Sequence, residues 1–271
     1  MAMDAFRLVE TWPAKHVSFG VVDFERVRGV AGRRDESFRW ASVTKLVTTY
    51  ALLVALEEGT LDLDEPAGPP GATLRHLLAH AAGLPINEGP PLADPGRRRI
   101  YSNAGIAEAA NLLERRAEMP FREYLEQAVQ RPLGLTGTLA GSPAWGYEGP
   151  LDDLLALAGE FLVPTLVAPE TLAEATTVQF PGLTGVLPSF GRQEPNDWGL
   201  GFELRDEKSP HWTGSRNSPR TFGHFGASGT FLWVDPDARL ACACLTDLEF
   251  GDWARTAWPE LSDAVLAEAA S

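Results

Sequence analysis

"RWASVTKLVTTYALLVALEEG" (residues 39–59) sets a serine three residues ahead of a lysine, where a run of strand-type residues gives way to a helical pattern. Leu46, Tyr50, Leu53 and Val54 recur at helical spacing and Gly59 supplies a C-terminal stop, so residues 43–58 read as a helix. Ser42 and Lys45 then lie one turn apart on one face. The choice of lysine is informative. The chain has three lysines against twenty arginines, and only a lysine amine can be driven neutral by burial or nearby charge and so accept a proton. A serine hydroxyl is a poor nucleophile until a base takes its proton. At a strand-to-helix junction the Ser42 N–H also belongs to the unpaired donors of a helix start, where a developing oxyanion can be held.

Outward from this segment, "HVSFGVVDFERVRGVAG" to "ESFRWAS" carries short β-branched and aromatic runs broken by Gly and Asp, predicting two or three strands. Downstream the spacing predicts helices in "TLRHLLAHAAGLP", ended by Gly83 and Pro85, and in "NAGIAEAANLLERRAE", with Ile106, Ala109, Ala110 and Leu113 on one face. "MPFREYLEQAVQRPLGL" reads as a helix that begins at Pro120 and ends before Pro132. "GPLDDLLALAGEFLVP" opens with two aspartates and stops at Pro164. Residues 87–96 read as a loop and residues 180–197 as a loop or lid. Strand character returns in "WGLGFEL", "TFGHFG" and "GTFLWVDPDARLACACLTD", and "DWARTAWPELSDAVLAEAA" closes the chain as an amphipathic helix. The expected fold class is α/β plus all-α: an antiparallel sheet flanked by helices, built from residues 1–40 and 195–271, with residues 41–194 as an inserted helical domain. The site would lie in the cleft between them.

At 271 residues and 44% hydrophobic, the chain can bury a sizeable core. Its formal charge, 23 − 37 = −14, argues against nucleic-acid and anionic-membrane partners. No run reaches the roughly eighteen apolar residues of a membrane span, and "MAMDAFRLVETW" lacks the apolar stretch of a secretory signal. Cys242 and Cys244, two apart on a predicted strand, share a face and read as small buried hydrophobes. A reducing cytoplasm is the expected setting.

Two further stretches carry chemistry. "YSNAG" (101–105) offers the Tyr101 phenol as a proton relay and the Asn103 amide to orient a substrate carbonyl or the lysine. "GHFGASG" (223–229) has glycines in a strand, which imply close approach of another backbone or a ligand. His224 and Gly226 share a face there, and Ala227 offers a backbone N–H. Other candidates read as structural. His76 and His80 are four apart on a predicted helix, a zinc-binding spacing, but no glutamate follows the first histidine. Ser228 in "GASGT" falls short of a nucleophile elbow because Thr230 stands where the second Gly belongs. "GRRRI" (96–100) reads as a solvated loop that sets an arginine at the cleft rim, and Trp145, Trp198 and Trp212 as core or loop anchors, the latter two candidates for lining an apolar pocket.

Together, "SVTK", "YSN" and "HFG" in that order resemble the three signature motifs of the serine β-lactamase and penicillin-binding-protein superfamily. "LVALEEGTLDLDEP", "TLRHLLAHAAGLP" and "REYLEQAVQRPLGLTGT" are similar to framework segments of its branch of class C β-lactamases, family VIII esterases and D-amino-acid amidases. The likeness covers residues 36–140 well and 197–248 moderately. It implies Ser42 as the acylated nucleophile, Lys45 as base or proton shuttle, Tyr101 as a base in one or both half-reactions, and Asn103 as a substrate contact. It implies an oxyanion hole at the N–H groups of Ser42 and Ala227 beside Gly226. His224 stands where many members have lysine, which weakens carboxylate recognition and shifts the expected substrate to a small ester or amide. β-Lactamase or D-amino-acid amidase activity is one alternative, and a non-hydrolytic binding or acyltransferase member another. No cofactor or metal is implied, and the oligomeric state stays open.

Overall fold

Six strands pair antiparallel in the order β2-β1-β11-β10-β9-β8 in the computed structural model, which describes residues 4–269. They are β1 (Val17–Asp23), β2 (Val27–Ala31), β8 (Glu203–Leu204), β9 (Phe222–Gly226), β10 (Thr230–Asp235) and β11 (Leu240–Thr246). The first and last strands in sequence order meet at the sheet's centre: β1 pairs with β11 along its whole length, from Val17 opposite Thr246 to Asp23 opposite Leu240. Both faces of that pair are covered, which is why the two strands read as almost unbroken apolar runs. One face carries Val22, Ala241, Ala243 and Leu245, packed under helix α6 (Leu151–Leu162). The other carries Phe19, Val21, Cys242 and Cys244, packed under the C-terminal helix α8 (Asp252–Ala269) and a 3₁₀ helix at Asp4–Thr11. Both cysteines are buried and free.

The segment between β2 and β8 is mainly helical. It contains α1 (Thr44–Glu57), α2 (Leu74–Leu78), α3 (Asn103–Ala117), α4 (Phe121–Leu125), α5 (Arg131–Leu133) and α7 (Pro169–Ala175) beside α6. A small sheet of β3 (Phe38–Arg39), β5 (Tyr147–Gly149) and β4 (Thr138–Leu139) lies at the mouth of α1, and a hairpin of β6 (Gly185–Leu187) and β7 (Gly191–Gln193) forms within the expected lid. α1 is buried all round from Thr44 to Ala55 instead of along one stripe, because it runs through the middle of the helical layer against α3 and α4. One apolar cluster continues from this layer through α6 onto the sheet.

Two helix expectations are corrected. The 121–133 segment does not stop before Pro132: a π-helical turn at Glu126–Gln130 joins α4 to α5, and Pro132 falls in the first turn of α5, where its missing N–H is tolerated. α2 ends at Leu78 rather than reaching Gly83, and His80, at φ +54°, lies beyond it. Among the described residues no helix is long and apolar enough to cross a membrane.

Candidate active site

The chain reaches the site through Trp40, whose backbone N–H bonds the Tyr147 carbonyl at 2.9 Å and whose indole N–H bonds the Gly149 carbonyl at 3.1 Å. Ala41 follows in the left-handed region at φ +46°, a strained setting for a residue with a Cβ. The sharp turn presents Ser42, half-buried in a 3₁₀ turn at Ala41–Val43 that runs into α1. β9 presses against the same elbow. A Cβ on Gly226 would lie 2.4 Å from the Trp40 carbonyl oxygen and 2.5 Å from Thr230 Oγ1, so only glycine lets the two backbones approach.

Lys45 is fully buried one turn after Ser42. Its Nζ donates to Asn103 Oδ1 at 2.7 Å and to the Ala144 carbonyl at 2.8 Å, and lies 3.3 Å from Ser42 Oγ. The Tyr101 hydroxyl donates to the same Ser42 oxygen at 2.8 Å. A hydrogen count follows. A neutral amine has two N–H donors and one lone pair, and the two carbonyl-type oxygens use both donors. In that uncharged form the remaining lone pair faces Ser42 Oγ across 3.3 Å, placed to take the serine's hydrogen. Burial pushes the Lys45 amine well below the ordinary lysine range. It pushes the Tyr101 phenol upward, so that group is a neutral donor.

His224 is buried on β9. Its Nδ1 lies 2.6 Å from the Phe225 carbonyl, which only accepts, so Nδ1 carries the proton and Nε2 is bare, with no hydrogen-bond partner among the described residues. Burial pushes this ring down to about 3, which keeps it neutral. Ala227 lies beyond it, its flanking peptides fixed by Gly229 N–H to Gly226 carbonyl at 3.1 Å and Phe250 N–H to Ala227 carbonyl at 2.9 Å.

Ser42, Tyr101, Asn103, His224 and Ala227 line one cavity of about 300 Å³, closed by Ile86, Leu187, Pro188, Trp198, Phe225 and Phe250. The β6–β7 hairpin supplies part of this apolar wall. A second cavity, about 500 Å³, adjoins Ala41 and Ala227 and is bordered by Arg39, Trp145, Glu148 and Glu249. Among the described residues no group of three or more His, Cys, Asp or Glu is placed to hold a metal ion.

Several sequence candidates resolve differently. Ser228 donates its hydroxyl to the Arg39 carbonyl at 2.6 Å, tying the β9–β10 turn to the segment ahead of Ser42. His76 caps α2 beside Thr73 and stacks on Phe180, while His80 turns away toward Tyr101, so the two form no pair. Arg99 is not at the cleft rim. It is buried beneath the lid, donating to the carbonyls of Ala79, Gln179, Phe180 and Asn196. Trp198 and Trp212 are buried, but Trp145 is half exposed.

Sequence reasoning missed Ala144, whose contribution is a backbone carbonyl and so leaves no residue-type signature. It also missed Glu203, buried at the cavity wall with Lys208, His211 and Trp212 around its carboxylate. Burial pushes that carboxyl up, but His211 and Lys208 outweigh it and hold it at about 2. The scarcity of lysine that marks Lys45 marks Lys208 equally, and both are buried.

The Beta-lactamase family model matches residues 13–266 of this chain. The D-alanyl-D-alanine-carboxypeptidase/endopeptidase AmpH of Escherichia coli is 28% identical over 141 residues, covering 38% of this chain and 37% of that protein. Esterase EstB of Burkholderia gladioli is 29% identical over 159 residues, covering 51% of this chain and 37% of its own length. The chain thus spans well under half of either relative. The crystal structure of a beta-lactamase from Mycobacterium bovis matches with a TM-score of 0.96 at 50% identity, over 98% of this chain and 99% of that one. EstCE1, a hydrolase with promiscuous acyltransferase activity, shares the fold at a TM-score of 0.80 and 18% identity, over 97% and 96%. With a family model spanning nearly its whole length and the motif residues gathered in one cleft, the chain belongs to the Beta-lactamase family, within the serine β-lactamase and penicillin-binding-protein superfamily.

Proposed function

We propose that this protein is a serine hydrolase that works through an acyl-enzyme on small apolar esters or amides. The observation that carries the reading is the fully buried Lys45 amine, pushed well below the ordinary lysine range by burial and lying 3.3 Å from Ser42 Oγ. As Ser42 Oγ attacks the substrate carbonyl, its proton passes to Lys45, and the N–H groups of Ser42 and Ala227 hold the oxyanion. Collapse breaks the bond to the leaving group, which takes a proton from Tyr101, and Lys45 hands its proton directly to the phenolate. Water then attacks the acyl-enzyme, giving one proton to Lys45; as the ester bond to Ser42 breaks, Lys45 passes that proton to the serine oxygen, restoring Ser42. Asn103 holds the amine in place, and His224 stays neutral beside the reacting atoms.

The substrate class follows from the cavity. Among its described lining residues none is Lys or Arg, the His224 ring is neutral and the Glu203 carboxylate is already fully partnered. A substrate carboxylate finds no fixed cation there, whereas a short acyl chain meets Leu187, Phe225 and Phe250. The partner is accordingly a small molecule. A cytoplasmic setting belongs to the same reading and is supported by the two free buried cysteines.

A second reading, β-lactam hydrolysis, is favoured by the 50% identity to the Mycobacterium bovis protein described as a beta-lactamase. Purified enzyme assayed on p-nitrophenyl butyrate and on nitrocefin separates the two. Faster turnover of the ester, abolished in Ser42→Ala, is the expected result, and faster turnover of nitrocefin assigns the second reading.

A further inference from the structure

His80 holds the segment that carries Tyr101, just ahead of α3, at two points. The Ile100 N–H donates to the His80 carbonyl at 2.9 Å, and the Ser102 N–H donates to His80 Nδ1 at 3.1 Å. Tyr101 is the single residue between those two anchors. The His80 ring also packs at a tilt against the Tyr101 ring, with centroids 4.9 Å apart, and is backed edge-on by Trp198 at 4.6 Å. A residue with a Cβ rarely adopts φ +54°, yet His80 does so while almost wholly buried. That backbone conformation turns carbonyl and ring toward the same short segment. Arg99 reinforces the arrangement from the preceding residue by donating to the Ala79 carbonyl.

We propose that His80 is a positioning residue that fixes the Tyr101 hydroxyl against Ser42, acting through the backbone on both sides of the tyrosine. This rests on the serine-hydrolase reading. Because Nδ1 accepts from Ser102, the ring keeps its remaining hydrogen on Nε2, which has no partner among the described residues. The ring therefore takes no proton from the reaction and works by geometry alone. A displacement of about 1 Å at a reacting group costs up to roughly a hundredfold in rate, so loss of the clamp is to be read in kcat and not in KM.

The test is a double-mutant cycle between His80→Leu and Tyr101→Phe, with kcat and KM measured on p-nitrophenyl butyrate and folding followed by melting temperature. His80→Leu is expected to lower kcat by about ten- to a hundredfold with KM within about threefold. In the Tyr101→Phe background the same change is expected to lower kcat by less than about threefold. His80→Asn, whose amide oxygen replaces the Nδ1 acceptor and whose backbone tolerates the left-handed region, is expected to recover most of the rate. If His80→Leu does not fold, His80→Gln takes its place, its longer side chain carrying the acceptor past Ser102. A folded His80→Leu with wild-type kcat, or equal losses in the two backgrounds, overturns the clamp. Ser42→Ala run in parallel separates the failures: activity surviving in that variant overturns the hydrolase reading, and its loss beside an unimpaired His80→Leu overturns the clamp alone.

Discussion

Tyr101 donates its phenolic hydrogen to Ser42 Oγ across 2.8 Å, so the proposed nucleophile accepts one hydrogen bond before any substrate arrives. Lys45 Nζ lies 3.3 Å from the same oxygen and is also held by Asn103 Oδ1 and the Ala144 carbonyl. With the amine uncharged, as proposed, those two oxygens take both its donors and its lone pair is left to accept the serine hydrogen.

Replacing Lys45 tests the base. Lys45→Met is expected to lower kcat by about a hundred- to ten-thousandfold. Lys45→Arg is expected to be as poor, since a guanidinium remains charged. A Lys45→Arg enzyme with more than about a tenth of wild-type kcat contradicts the assignment.

The same lysine sets a pH dependence of stability. Between its lowered folded pKa and the value near 10.4 of an unfolded lysine, the unfolded chain binds more protons at this position. Stability at this site thus rises with pH through that window and falls as pH drops. Comparing wild type with Lys45→Met by urea denaturation at about pH 6 and about pH 9, the difference is expected to move in favour of the wild type at the higher pH.

Asn103→Asp sets a carboxylate at the 2.7 Å contact with Nζ. An anion there favours the ammonium form, so the lysine pKa rises. Activity at neutral pH is expected to fall, and the acidic limb of the kcat/KM profile to move to higher pH. A profile that falls in height without shifting indicates that Asn103 acts elsewhere.

Gly226→Ala drives a Cβ to within 2.4 Å of the Trp40 carbonyl oxygen and 3.1 Å of the Ala41 Cβ. The overpacking is expected to cost about 1–3 kcal/mol of stability and to displace Ser42 relative to Ala227. The check is that the rate of fluorophosphonate labelling falls further than the lost stability alone explains.

His80 and His224 are buried as neutral rings, with pKa values pushed down by burial, His224 to about 3. The unfolded chain protonates both near pH 6.5, so the stability they hold is present above that value and is lost as pH falls toward the folded pKa values. A urea midpoint that drops steadily below about pH 6 is expected, with a shallower drop in His224→Gln.

The elements legible in the sequence are those whose signal is local. Ser42 and Lys45 declare themselves by spacing and by the rarity of lysine, and the strands β1 and β11 by their apolar runs. What was hidden depends on partners distant in the chain. α1 shows a helical stripe, yet it is buried all round, because the helices enclosing it come later in the sequence. Ala144 acts through a carbonyl that any residue carries. His80 resembles half of a helical histidine pair until the end of α2 at Leu78 removes it from the helix.

The most direct test of the central claim is the charge of Lys45. With only Lys15, Lys45 and Lys208 to assign, ¹³Cε-lysine NMR across pH resolves each amine, and Lys45→Met identifies the signal. The account predicts a Lys45 resonance already in its neutral form at pH values well below the ordinary lysine value of about 10.4. A Lys45 signal that titrates near that ordinary value would contradict it.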